Sequence, residues 1–266
     1  MDQLQRLASH FGLPVVEDAA QAMGEEINTR KLGTLGDVGF FSLGRGKAFS
    51  TVEGGVILTD RDDIALQLSI ALETLPDYTP LETAALICRA VSIVVLQRPS
   101  FFWLPRSLPF LKLGETIYDP DFPMRKMSPF QAGLAMNWKA KLERFRSTRR
   151  QNVAWCKSVV SSLRVRHYCE ENGAGYSLLR FPLSIDDTVA RNALLVRGKE
   201  RGLGIMPSYP DSVDGIEELR GFDGRACEEA KRLAHTLVSV PVHPLVSKRD
   251  KALIHELLGE VLGEGH

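Results

Sequence analysis

Apolar residues first recur at helical spacing at Leu4, Leu7, Ala8 and Phe11, and Gly12 stands where that helix would close. Val15 and Val16 then form a short apolar pair that runs into Glu17-Asp18, the pattern of a brief buried strand. Phe40-Phe41-Ser42-Leu43 and Val56-Ile57-Leu58-Thr59 read as two more strands, separated by a glycine-rich loop. Helix, strand, loop, strand, loop, strand without clean alternation predicts a mixed or parallel sheet buried on both faces. From Met127 the texture changes. Phe130, Leu134, Trp138, Leu142, Phe145, Val153, Cys156 and Val160 fall about four apart, predicting one long helix that Ser128-Pro129 would start. "YSLLRFPLSI" reads as a strand, "DDTVARNALLVRGKERGLG" as a helix ended by glycine, and residues 247–262 as a final amphipathic helix. The pattern thus divides the chain into an α/β part over 1–126 and an α+β domain over 127–266, connected by "LGETIYDPDFP".

The most apolar stretch, "AALICRAVSIVVL" from Ala84 to Leu96, is too short to span a bilayer and carries Arg89. "RPSFFWLPRSLPFLKL" follows, broken by prolines and arginines. Two readings stand: a buried helix with a packed loop, or an interfacial segment that touches a membrane or a partner. No apolar signal region opens the chain, and no transmembrane segment is expected.

Composition narrows the function classes. Hydrophobic residues make up 44% and charged residues 25% of the 266, which suits a globular domain and excludes disorder. Lys plus Arg equals Asp plus Glu at 33 each, so no global field favours nucleic acid. The four cysteines and six histidines are scattered, without Cys-x-x-Cys or His-x-x-x-His pairs. No metal site is expected, and the thiols suit a reducing cytoplasm.

Chemistry concentrates around Lys47 in "GFFSLGRGKAFSTVEGGVILTD". As a phosphate loop the stretch fails, because Phe41 stands where the first glycine is needed and Ala48 replaces the hydroxyl. A dinucleotide fingerprint fails too, with Phe49 at the third glycine. A lysine between two buried strands lies at a sheet end, where its amine could form a Schiff base with a carbonyl cofactor. Pyridoxal phosphate would further need a carboxylate at its ring nitrogen, donors for its phosphate and a hydrogen-bonding group at its phenolic oxygen. Asp18, Ser42 and Gln21 are candidates; each could equally be a helix cap, a strand hydroxyl or a surface amide.

Four linked blocks add to this: Asp18-Ala19-Ala20-Gln21, Gly36-Asp37-Val38-Gly39, Phe41-Ser42 to Lys47, and Glu53-Gly54-Gly55. In this order they resemble the DegT/DnrJ/EryC1/StrS sugar aminotransferases. Fainter similarity continues through "MSPFQAGLAMNWKAKLERFRSTRR", "FPLSIDD", "RGLGIMPSYP" and "LVSVPVHPL". The resemblance implies the aspartate-aminotransferase-like fold of pyridoxal-phosphate-dependent transferases, with a large-domain mixed sheet and a smaller C-terminal domain, working as a homodimer. It implies that Lys47 holds the cofactor covalently, Asp18 binds the pyridine nitrogen, Gln21 lies by the phenolic oxygen and Ser42 binds the phosphate. It also implies transfer of an amino group from an amino acid, expected to be glutamate, to a keto-sugar nucleotide for polysaccharide or cell-surface glycan synthesis. A dehydrating relative has histidine in place of this lysine, so Lys47 favours transamination.

Departures from the pattern bear on substrate and completeness. Gly44-Arg45 stands where the family commonly has His-Pro, and Met124-Arg125-Lys126-Met127-Ser128 replaces Asn-Tyr-Arg-Met-Ser. An apolar insertion occupies about 72–121. Family chains begin well upstream of "VVEDAAQA", so an incomplete large-domain sheet with an exposed strand edge is expected here. Either the chain is a fragment or a shortened reading frame, or another chain supplies the rest; the alternative to an enzyme is a non-catalytic remnant or regulatory subunit that keeps the fold.

Overall fold

The structure, a computed structural model, describes residues 1–96, 122–163, 165–168, 175–216 and 227–263. Most of the connection "LGETIYDPDFP" and the apolar stretch beyond Leu96 lie outside the described residues. Two compact units emerge, one formed by described residues up to Arg146 and one from Ser147 onward.

In the first unit, helix α1 (Asp2–His10) precedes strand β1 (Val16–Asp18), a small ribbon of β2 (Glu26–Ile27) and β3 (Arg30–Lys31), and strands β4 (Val38–Ser42) and β5 (Gly55–Leu58). Helices α2 (Asp62–Thr74), α3 (Pro80–Leu96) and α4 (Pro129–Ala135) follow, then α5 (Trp138–Val160), which runs on into the second unit. The sheet is mixed, as expected. β1 pairs in parallel with β4, and β5 runs antiparallel on its other side.

Burial corrects one expectation. β4 alternates buried and half-buried positions, but Val16, Ile57 and Leu58 on the flanking strands are exposed. Among the described residues this sheet is not covered on both faces, and β1 and β5 form its edges. Phe41, Leu43, Ala48, Phe49 and Leu86 form the buried apolar positions around the lysine loop and α3.

The expected long helix is two helices. The Ser128 hydroxyl accepts from Gln131 N and the Gln131 side chain accepts from Ser128 N, a capping box that opens α4 with Pro129 in its first turn. The chain then breaks at Met136-Asn137, where Asn137 takes a φ of 59°. Asparagine is one of the few residues that tolerate this left-handed geometry. The compact division falls inside α5 rather than at Met127, because the preceding segment is tied to the first unit. Gln131 Nε2 donates to Glu53 O at 2.9 Å, and Arg146 pairs with Glu25 at 3.2 Å, both side chains nearly buried.

The second unit is a two-layer α+β structure. Its antiparallel sheet has the order β6 (Arg166–His167), β7 (Arg180–Ser184), β9 (Leu237–Pro241), β8 (Met206–Pro207). Helices α6 (Thr188–Glu200) and α8 (Lys248–Leu262), with the C-terminal half of α5, share one core with the central strands; α7 (Glu228–Thr236) leads into β9. Phe181, Leu183, Val238, Leu194, Ile254 and Leu257 are fully buried there. The Asp187 carboxylate caps α6, and a Ser247/Asp250 capping box opens α8.

Candidate active site

The parallel register sets the site. Asp18 pairs with Phe40, so Asp18 and Ser42 both stand at the carboxyl ends of adjacent parallel strands. Open α/β sheets bind ligands outside these ends. Asp18 is exposed and its Oδ1 accepts from Ala20 N at 2.9 Å, a local turn that points the chain away from the strand. Gln21 follows in that turn and is exposed. Ser42 Oγ accepts from Gly44 N at 3.3 Å, and a hydroxyl that accepts can still donate its own hydrogen. Lys47 is half-buried in the loop that leaves β4 and returns as β5.

That loop is fixed at its base. Leu43 N donates to Gly54 O at 2.8 Å, and Thr51 N donates to Leu43 O at 2.9 Å. Thr51, fully buried, donates its hydroxyl to Glu53 O at 2.9 Å. Val52 holds a φ of 79°, a conformation that a β-branched residue adopts only under constraint. Its N–H is met by Ser50 Oγ at 3.0 Å. Buried contacts and local hydrogen bonds thus hold a strained backbone five residues after Lys47.

Sequence reasoning passed over the residues that brace this loop. The Glu53 carboxylate accepts from Tyr78 Oη at 2.9 Å and from Arg89 Nη1 at 2.8 Å, while the Glu53 carbonyl receives Gln131. Burial, then the Glu53 carboxylate, push the Tyr78 phenol above its usual range. The Ser-x-x-Gln spacing at 128–131 marks the capping box in the sequence; its reach to Glu53 depends on the fold.

Glu17, beside Asp18 in β1, and Asp37 of the second motif block have structural work instead. Glu17 accepts from Gly33 N at 2.8 Å and Leu35 N at 2.7 Å, clamping the turn that carries "GTLGD". Asp37 accepts from Val15 N at 2.7 Å just before β4 begins, and its carboxyl is held below the usual range mainly by that N–H and by Arg61. Of the motif-block carboxylates near Ser42, Glu53 is engaged by Tyr78 and Arg89, and Asp18 stands exposed at the end of β1.

Whether pyridoxal phosphate suits this set can be tested on donor chemistry. An amine on a braced loop, a carboxylate at one strand end, and a hydroxyl beside a glycine N–H at the next are the groups that an aldehyde, a pyridine nitrogen and a phosphate require. The residues present fit. Among the described residues no cluster of three or more His, Cys, Asp or Glu could hold a metal ion.

Comparison with known proteins gives the same direction. Over 68 residues the chain is 41% identical to the L-glutamine:2-deoxy-scyllo-inosose aminotransferase of Streptoalloteichus tenebrarius, covering 26% of this chain and 16% of that protein. Its structure is similar to the aminotransferase from Psychrobacter cryohalolentis, at a TM-score of 0.71 and 16% identity, over 98% of this chain and 64% of that one. It is also similar to E. coli GDP-4-keto-6-deoxy-D-mannose-3-dehydratase with bound hydrated PLP, at a TM-score of 0.67 and 18% identity, over 97% of this chain and 63% of that one. The chain spans less than two thirds of the length of each of these proteins. A family model matches residues 1–73 and 123–258, both units and all four motif blocks, and the chain belongs to the DegT/DnrJ/EryC1/StrS aminotransferase family.

Proposed function

We propose that the protein binds pyridoxal 5'-phosphate at the strand ends of its first unit and serves amino-group transfer to a keto-sugar. The observation that carries this reading is the common position of Asp18 and Ser42 at the ends of β1 and β4, with Lys47 on the loop that follows. When bound, the cofactor supplies an electron sink for carbanion chemistry. When the cofactor is bound, Lys47 would be the residue that holds it through its aldehyde, and its Nζ would be the group that moves a proton at the substrate carbon. The Asp18 carboxylate would hold the proton on the ring nitrogen, Ser42 Oγ and its neighbouring backbone would receive the phosphate, and Gln21 would meet the phenolic oxygen. The braced loop fixes where Lys47 leaves the backbone, which is how preorganisation reduces the cost of each proton transfer.

The reading extends to a nucleotide-linked keto-sugar as acceptor, glutamate as donor, a cytoplasmic enzyme of cell-surface glycan synthesis, and a dimeric assembly. Its supports are the family's sugar-acting members and the unbroken Asp18, Gln21, Ser42 and Lys47 set. The test is direct. The protein is incubated with pyridoxal phosphate, reduced with borohydride and digested, and the labelled peptide should carry Lys47. Label on another lysine, such as Lys31, would sink the assignment. With a keto-sugar nucleotide and glutamate, Asp18→Asn should retain the cofactor yet slow turnover by about 100-fold or more, as loss of one preorganised electrostatic contact does.

A further inference from the structure

In the second unit Arg180 is a cation that meets no anion among the described residues. Val238, Val240 and Val242 are buried in the core, so strand alternation turns Ser239 and Pro241 to the opposite face, and His243 follows two residues on. Arg180, next to the fully buried Phe181, pairs in register with Pro241 and shares that face. Met206 of β8 pairs with Ser239 on the other side of β9. The Arg180 guanidinium reaches across β9, and its Nη1 donates to Met206 Sδ at 2.7 Å. A thioether is a weak acceptor, and a guanidinium carries five N–H donors.

The surroundings of His243 add to this. Its backbone is tied to α5, where Asn152 Nδ2 donates to Val242 O and His243 O, each at 3.1 Å. Arg149, one turn earlier on α5, is 5% exposed. Burial first, then the charges of Arg180 and Arg149, hold the imidazole below its usual range, with Asp250 opposing them. Burial lowers Arg180 as well. Yet Arg180 and His243 both keep a solvent-accessible side. Groups crowded on one side and open on the other line a recess, and the field in this one is positive.

We propose that Arg180 and His243 line an oxyanion site in the second unit, suited to a phosphate group. The planar guanidinium presents paired N–H groups that match two oxygens of a phosphate or carboxylate, and a neutral imidazole adds one N–H donor. Charge favours phosphate over a single carboxylate, because a dianion gains about twice the attraction in the same field. Met206 Sδ gives way to an oxygen because charge-assisted bonds to oxyanions are the stronger ones.

The test follows the His243 imidazole by NMR in the full chain, at fixed pH and ionic strength, with its signal assigned by loss in His243→Gln. Titration with inorganic phosphate should move the signal along a saturating curve, whereas chloride should leave it in place. Arg180→Gln, at a solvent-accessible position, should keep the wild-type circular dichroism and weaken the response on the order of tenfold or more. Arg180→Lys, which keeps the charge and loses the fork, should fall between the two. Three results would overturn the proposal. One is a signal that phosphate does not move. Another is an equal response in wild type and Arg180→Gln, which would place the anion elsewhere, Ser42 included. The last is a tighter response to glutamate than to phosphate, which would assign the recess to a carboxylate. The inference stands independently of the proposed chemistry, because the signal is read without cofactor.

Discussion

The two units solve the same packing problem to different degrees. The second folds four antiparallel strands against three helices, and its central side chains, from Phe181 to Leu258, are almost wholly removed from water. The first has a three-stranded mixed sheet, small buried residues such as Ala8, Ala19 and Ala48, and exposed apolar side chains on α1, α2 and α3. Burial of apolar area is the main favourable term in folding, so the second unit has the means to be stable, while the proposed site lies in the first. The contrast shows how a site can be well ordered locally without a deep core. Hydrogen bonds, a strained turn and a small set of buried side chains, Leu43, Phe49 and Thr51 among them, fix the geometry of the loop that carries Lys47.

The largest test of this contrast is Phe181→Ala. At a fully buried position it should cost about 3–5 kcal/mol, read as a lower urea midpoint for the second unit. A loss at that position below about 1 kcal/mol would mean that the core is looser than its burial indicates. Gly39→Ala probes the first unit by a different route. A Cβ at residue 39 would stand 1.9 Å from the Gly33 carbonyl oxygen, a backbone atom that cannot swing aside. The substitution should cost about 2–4 kcal/mol and expose the amides of β4 to hydrogen exchange, with the second unit's midpoint unchanged.

The smallest effect concerns acid. Arg125, then the Thr79 backbone N–H and hydroxyl, pull the Glu82 carboxyl down from 4.5 to about 2. A carboxyl whose folded pKa is depressed stabilises the fold above its unfolded value and loses that contribution as pH falls through the folded one. Between pH 4.5 and about 2 the wild type should therefore lose its advantage over Arg125→Ala. Parallel thermal melts of the two proteins should converge across that window. Because the pair is only partly buried, the difference should be small and should shrink with salt.

Much of this was legible in the sequence, for identifiable reasons. β1, β4, β5, α6 and α8 were foreseen because apolar periodicity and strong end signals, Ser247 and Gly202 among them, agree with tertiary packing. That Asp18 and Ser42 end strands was readable from where the apolar runs stop; their grouping with Gln21 and Lys47 as a cofactor site rests on the family resemblance and remains the proposal. The break at Asn137 was missed, since a single left-handed residue leaves the four-residue spacing of Leu134, Trp138 and Leu142 intact. The sheet's two-sided burial was misjudged, and the two readings of the α3 stretch stayed open, because composition reports how apolar a segment is and says nothing about what covers it. The bracing of Glu53 by Tyr78, Arg89 and Gln131 joins positions 25 to 78 apart in sequence, and no local pattern encodes it.

Helix α5 begins among the residues of the first unit and ends among those of the second, with the change at Arg146 and Ser147. One continuous hydrogen-bonded ladder therefore reports on two cooperative units of unequal strength. Amides in its first two turns exchange with solvent whenever the weaker unit opens, while those around Val153 and Cys156 exchange only on the rarer opening of the stronger one. The rate profile along this single helix is a built-in ruler of how far the stability of the core extends toward the chemistry.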